Sequence, residues 1–462
     1  MTGRRRRRAA AHPRASSSLV PMTTTLPARR DPSAPPARTS TLFATLVFVV
    51  LLGGDVLRNG TSFWGWGVVC GVMVIAAAVV VVRHPPRWRA LPRVLALWLA
   101  FAVASIAWSQ YPSASAIGIV ATLATTLGAL AVTVALPWPS IVTALGRALR
   151  LHVVLSLLFE VVVGALVRRP VCPVYLDCSG GVPDAFFWSR AELFTGGRIQ
   201  GLQGNSNILA VLALLALVVT LAEASSRSIS RSTARVGVVS AALALLLTRS
   251  ATVAACAVAV ALVLALVVVL RRTAPPRRPR VYGLAGLVLV IAALAVVLAR
   301  GPLLALAGRS GDLTGRTDIW AAVVDLAVQH PVVGWGWVSY WIPIVEPFRD
   351  LAERNGVVYL QAHDAYLDVW FQLGAVGLAL FLLVVVGVAL RAWSWATDRR
   401  VLGVGRVAPW SALDLLPVLL LTALLVHGLT ESRLIVEWGW AIFVVLVVVT
   451  RRDPYGWTDR DR

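Results

Sequence analysis

The sequence predicts an all-α protein that crosses a membrane many times, and three observations support that fold class. Of the 462 residues, 58% are hydrophobic and only 14% are charged, whereas soluble domains are near half apolar with about a quarter charged. The apolar residues gather into runs of roughly 17–25, the length of a spanning helix. Arginines punctuate those runs in an alternating pattern. The net charge of +21 would suggest nucleic acid if it lay on one soluble face. Spread through short loops it sets topology instead, and no nucleic-acid partner is expected.

In chain order, residues 1–40 read as a disordered, Arg-rich and Pro/Ser-rich cytoplasmic tail. No signal-peptide pattern is expected, because the first apolar run starts near Thr41. About 12 helices follow, near 41–57, 65–82, 91–108, 116–135, 151–167, 204–222, 236–248, 251–270, 281–299, 364–390, 412–428 and 434–450. Helices one to nine fill 41–300 and ten to twelve fill 363–450, leaving a cytoplasmic tail at 451–462. With the N-terminus inside, Arg147, Arg150, Arg231, Arg271 and Arg391 fall in inner loops. In all, about 31 of the arginines fall inside and about 12 outside, as positive-inside topology requires. Both termini are therefore expected in the cytoplasm. No internal repeat and no paired broken helices of the transporter kind are evident.

Two outer loops are long, 168–204 and 301–362. In the first, FFWSRAELF has the aromatic, amphipathic look of an interfacial helix. Cys172 and Cys178 share that loop, outside the cytosol, where a disulfide is permitted. Cys70 and Cys256 lie in helices and read as packing residues. No His or Cys spacing suggests zinc, so neither metal nor cofactor is expected.

Outer arginines run against the topology bias. Arg198 lies in GGRIQGLQGNSN, Arg249 in LLLTRSAT and Arg316 in LTGRTDIW, where Thr314 or Thr317 with Asp318 can cap the next helix. Singly, each suits headgroup snorkelling or pairing with Glu192, Asp312 or Asp318. As a set, three guanidinium forks near one membrane face suit a lipid-linked phosphate or diphosphate. His363 precedes an apolar run at a helix N-terminus, which disfavours imidazolium and keeps the ring able to accept a proton. A lone histidine is more often structural. Asp364 and Asp368 lie within one turn and either can orient the ring. Tyr366 and Trp370 read as membrane-interface aromatics, and Glu160 as a buried acid of structural or functional use.

The order GRIQGLQGNSN, TRS, GRTDIW, HPVVGWGW and AHDAYLDVWFQLG resembles the O-antigen ligase and polymerase superfamily, over roughly 195–450. That resemblance implies an integral-membrane, C-type glycosyltransferase-like fold of about 12 helices with a large outer loop before the tenth. It implies transfer of a saccharide from undecaprenyl diphosphate to a glycan, lipid or protein acceptor, inverting and without a metal, at the extracytoplasmic face of a bacterial inner membrane. Arg198, with Gly201, Asn205 and Asn207, and Arg316 would hold the donor diphosphate, and His363 would be the base. The chain departs from the family pattern at Asp364, commonly Asn, at Gln372, often an acid, and in the order Arg249-Ser250. The resemblance does not choose between ligase and polymerase. The competing classes are a flippase for a lipid-linked saccharide and a structural membrane anchor, the latter leaving His363 and Arg316 unexplained.

Overall fold

The computed structural model describes residues 38–86, 91–298, 316–349, 351–354, 357–399, 401–403, 406–407 and 409–451. The Arg-rich leader, Asp312, Thr314 and the tail beyond 451 lie outside the described residues. Thirteen α-helices are seen among them: α1 Arg38–Leu52, α2 Gly54–Arg83, α3 Arg93–Ala104, α4 Pro112–Ala135, α5 Trp138–Val162, α6 Ser206–Ser225 and α7 Arg231–Thr248. Then come α8 Ala251–Arg272, α9 Arg278–Leu298, α10 Arg316–Ala327, α11 Ala365–Thr397, α12 Leu416–Gly428 and α13 Glu437–Val449. Two short antiparallel hairpins, Glu353–Arg354 with Val357–Val358 and Val401–Gly403 with Arg406–Val407, are the only strands among the described residues. Each of the twelve predicted apolar segments coincides with a helix. Seven helices are long and apolar enough to cross a membrane, which makes this a polytopic helical membrane protein.

Local chemistry sets the boundaries. Asn205, Ser230, Ser250 and Asp364 cap α6, α7, α8 and α11, each with a side-chain oxygen accepting backbone N–H groups. Pro112 and Pro417 sit in the first turns of α4 and α12, where their missing N–H costs nothing. Helices α6 and α13 are buried nearly all round, while α2 and α9 carry exposed apolar faces such as Val68, Val72 and Leu289, as lipid-facing helices do.

The fifth predicted segment begins too late. Helix α5 starts at Trp138, so Arg147 and Arg150 are in a helix and not in an inner loop. Arg150 is buried and paired with Glu223 of α6, and it also bonds Thr220. A paired arginine is tolerated inside a helix where an unpaired one is not. FFWSRAELF is likewise mostly irregular, with only a 3₁₀ turn at Asp184–Phe186. Its loop is held by buried Glu160, which accepts from Gln200 N, Gly201 N and Ser189 Oγ at 3.0, 2.6 and 3.0 Å. Cys172 and Cys178 of the same loop form a disulfide.

Two of these helices are broken. Helix α2 breaks at Ser62 (φ 73°) and α11 at Gly374 (φ 63°). At Gly374 the HPVVGWG segment repairs the lost ladder. Trp335 N and Gly336 N donate to the carbonyls of Phe371 and Gln372, while Ala375 N and Val376 N donate to those of Pro331 and Val332. At membrane depth such groups must find partners within the protein. The contact is so close that a Cβ on Gly374 would lie 2.2 Å from the Val332 carbonyl carbon, and only glycine fits. Next to this patch, Trp98, Trp337, Trp440 and Phe381 meet at centroid distances of 5.0–6.0 Å. They join α3, α11 and α13 to the segment between α10 and α11. The loop adds its own core, where Trp341 stacks on Phe348 against Tyr111 and Phe371.

Candidate active site

Helix α11 is preceded by His363, whose φ of 52° is left-handed, a conformation that a non-glycine residue adopts at a cost and that recurs at functional sites. Asp364 follows as the cap, its carboxylate accepting from Tyr366 N and Leu367 N at 2.9 Å. Asn and Asp serve equally there, which gives the departure at Asp364 a structural reason. Burial raises the Asp364 carboxyl above its usual range, against the pull of those two amides. On its other side Trp320 of α10 donates to the Ala362 carbonyl at 3.0 Å, docking the helix that begins with Arg316 against the residue before His363.

The centre of the cluster is Glu431, in the turn between α12 and α13. Its side chain is 3% exposed, and its two oxygens serve different partners. Oε2 accepts from His363 Nδ1 at 2.9 Å and from Gln361 Nε2 at 3.0 Å. Oε1 accepts from Arg316 Nη2 at 3.1 Å and Asn207 Nδ2 at 3.2 Å. Asn207 Oδ1 in turn accepts from Arg198 Nη2 at 3.1 Å and Ser250 Oγ at 2.8 Å, and Arg198 Nε donates to the Thr248 carbonyl. Burial pushes the Glu431 carboxyl up, but the His363 ring and its hydrogen bond, with His427 and Arg316, outweigh it and hold it at about 2. Because a carboxylate can only accept, Nδ1 carries a proton, and in the neutral ring that leaves the lone pair on Nε2. Among the described residues no hydrogen bond to Nε2 is seen, and Arg316 reaches Glu431 through Nη2.

Of the residues singled out from sequence, Asn207, Arg316 and His363 therefore meet on one carboxylate, and Arg198 joins them through Asn207. Asp318 stays exposed on α10. Arg249 is exposed at the left-handed end of α7, and its neighbour Ser250 reaches the cluster instead. Asn205 caps α6, and Tyr366 donates to the Leu425 carbonyl at 3.1 Å, tying α11 to α12. Neither Asp364 nor Asp368 orients the ring: Asp368 is buried and accepts from Trp341 Nε1, Ala362 N and Ser432 Oγ. Gln372 accepts from Val338 N and Ser339 N, a structural use of that position. Glu431, Gln361 and Ser250 were missed. The one signal was the charged ESR tripeptide in a short turn between two apolar runs.

The fold and cluster together define a polytopic helical membrane protein with an Arg–Glu–His site where α6, α8, α10 and α11 begin. Residues 236–382 match the family model described as O-antigen ligase, a stretch that includes Ser250, Arg316 and His363. A 101-residue stretch is 30% identical to the "Exopolysaccharide production protein ExoQ" of Rhizobium meliloti (strain 1021), covering 21% of this chain and 23% of that relative. Both comparisons support the O-antigen ligase and polymerase superfamily.

Proposed function

We propose that the protein is a bacterial inner-membrane glycosyltransferase of polysaccharide synthesis, moving a saccharide from undecaprenyl diphosphate to an acceptor hydroxyl at the extracytoplasmic face. The observation that carries this reading is the single buried carboxylate holding an arginine with one oxygen and a histidine with the other. Arg316 and Arg198 grip the donor diphosphate. The acceptor oxygen attacks the anomeric carbon from the side opposite the diphosphate, and its proton passes to His363 Nε2. The bond from the anomeric carbon to the phosphate oxygen breaks with its electron pair on the lipid diphosphate, and configuration inverts. The arginines offset charge growing on the leaving group, Glu431 stabilises the imidazolium that forms, and the membrane holds both substrates in register. No metal enters the scheme. The alternating arginines of the sequence, read with about 12 spans and both termini inside, support an outer position for the cluster.

The test is a reconstituted assay with purified protein, lipid-diphosphate-linked saccharide and a cell-envelope acceptor fraction, read as undecaprenyl diphosphate release. Release should require both acceptor and His363. Donor binding without release would move the assignment to a flippase.

A further inference from the structure

A cavity of about 740 Å³ opens between α1, α2 and α4, one wall away from the His363 cluster. Three elements form that wall, each with one residue on either side. Asn205, Leu360 and Arg433 line the cavity, while Asn207, Gln361 and Glu431 belong to the cluster. The volume is within the range of small-molecule sites, and the lining has two parts. Along α2, Trp66, Met73 and Ala77 face Val47 of α1 with Ala121 and Gly128 of α4. From Trp66 to Ala77 the helix rises about 16 Å, roughly one leaflet of hydrocarbon. At its head sit four charges in a closed ring. Arg58 pairs with Asp55 and Glu437, and Arg433 pairs with the same two carboxylates, at 3.0 Å for Asp55 Oδ2. The Arg58 guanidinium also lies 5.1 Å from the centre of the Trp66 ring.

Two arginines against two carboxylates leave no net charge for a diphosphate to seek. A purely apolar lipid would gain nothing from the ring, and partly buried ion pairs beside an apolar cavity are costly to keep. Fixed donors and acceptors side by side, next to an indole face, match vicinal hydroxyls and the C–H face of a sugar. We infer that the cavity binds a lipid-borne acceptor: one hydrocarbon chain along α2 carrying an uncharged saccharide against the Asp55–Arg58–Glu437–Arg433 ring, its hydroxyl delivered over the wall to His363. The word acceptor rests on the transferase reading; the binding does not.

The probe is an alkyl maltoside with a diazirine in its chain, added to the full-length protein in phospholipid nanodiscs, with labelled peptides mapped by mass spectrometry. A second probe carries the same chain with a phosphate head. The maltoside should label α2 and α4 between about 66 and 128, be displaced by unlabelled maltoside, and exceed the phosphate probe by roughly tenfold, the worth of one charge-assisted hydrogen bond. Ala121→Trp, which fills the cavity, should abolish that label without lowering the melting temperature. Equal labelling by both heads, or labelling that survives Ala121→Trp and competition, would overturn the proposal by making the space an ordinary lipid contact. Because labelling needs no turnover, its loss would sink the cavity assignment while leaving diphosphate release intact, and the converse result would sink only the transferase.

Discussion

Replacing Glu431 with glutamine keeps the shape of the side chain and removes one acceptor oxygen. In the wild type four donors converge on the two oxygens, at 2.9 and 3.0 Å on one and 3.1 and 3.2 Å on the other. The amide nitrogen must face one pair, so two donors lose their acceptor and meet a donor. Hydrogen bonds to a charged group are worth about 1.5–3 kcal/mol each, so the loss is about 3–6 kcal/mol, or roughly 10² to 10⁴ in rate if it falls on the transition state. If the nitrogen turns toward His363, the ring is no longer held with its proton on Nδ1, and loss of such an orienting acid costs about 10⁴ in a well-studied serine protease. The assay is undecaprenyl diphosphate release at saturating and limiting donor. Glu431→Gln should lower kcat by at least about a hundredfold, with a smaller change in KM. Glu431→Asp, one methylene shorter, keeps the charge but cannot reach both Arg316 and His363, so it should also fail. Either variant within about threefold of wild type would refute the role given to this carboxylate.

His363→Ala should abolish release while membrane insertion stays as in the wild type; full activity would remove the base. Arg316→Lys should lose most activity, because an ammonium cannot replace a planar fork that bonds Glu431 and phosphate at once, and equal activity would reduce the residue to a point charge. Glu160→Ala leaves three donors unmet beneath the 168–204 loop, and at ~1–3 kcal/mol each it should lower thermal stability by at least about 3 kcal/mol and open that loop to protease. Glu431 is held at about 2 in the fold, below its ordinary 4.5. The stability it gives is full above pH 4.5 and is lost as pH falls toward 2, so melting temperature across that window should fall more steeply in the wild type than in Glu431→Gln.

Helices were legible because apolar runs of spanning length have few alternatives, and all twelve predicted segments fall on helices. What was not legible depended on partners remote in sequence. Arg150 looked like a loop residue until Glu223, 73 residues on, was seen to neutralise it. The break at Gly374 left no local mark, since glycine is common in spanning helices. Its physical sign, the HPVVGWG segment that supplies the missing bonds, lies some 40 residues earlier. Of the site, Arg198, Arg316 and His363 could be picked out because a guanidinium or imidazole at an outer helix end is unusual in so apolar a chain. Glu431 could not, because its bonds to His363, Arg316 and Asn207 span 68, 115 and 224 positions. His363 was assigned two local acids as orienters, and both proved to be occupied by backbone amides or indole.

The division of labour between the two Glu431 oxygens has a consequence for the proposed reaction. When Nε2 of a neutral His363 takes the acceptor proton, the cluster gains one positive charge. The added charge appears at the moment the diphosphate gathers its own, so proton transfer on the acceptor side strengthens the field on the donor side. Because one rigid, buried carboxylate spans both, the side chains that hold the leaving group and the base are aligned before substrate arrives, and little reorganisation is left for the reaction itself. A histidine and an arginine placed by separate elements would have to find that alignment anew in each turnover. Joining them through a turn between α12 and α13, two of the more buried helices in the bundle, gives the site the stiffness of the core.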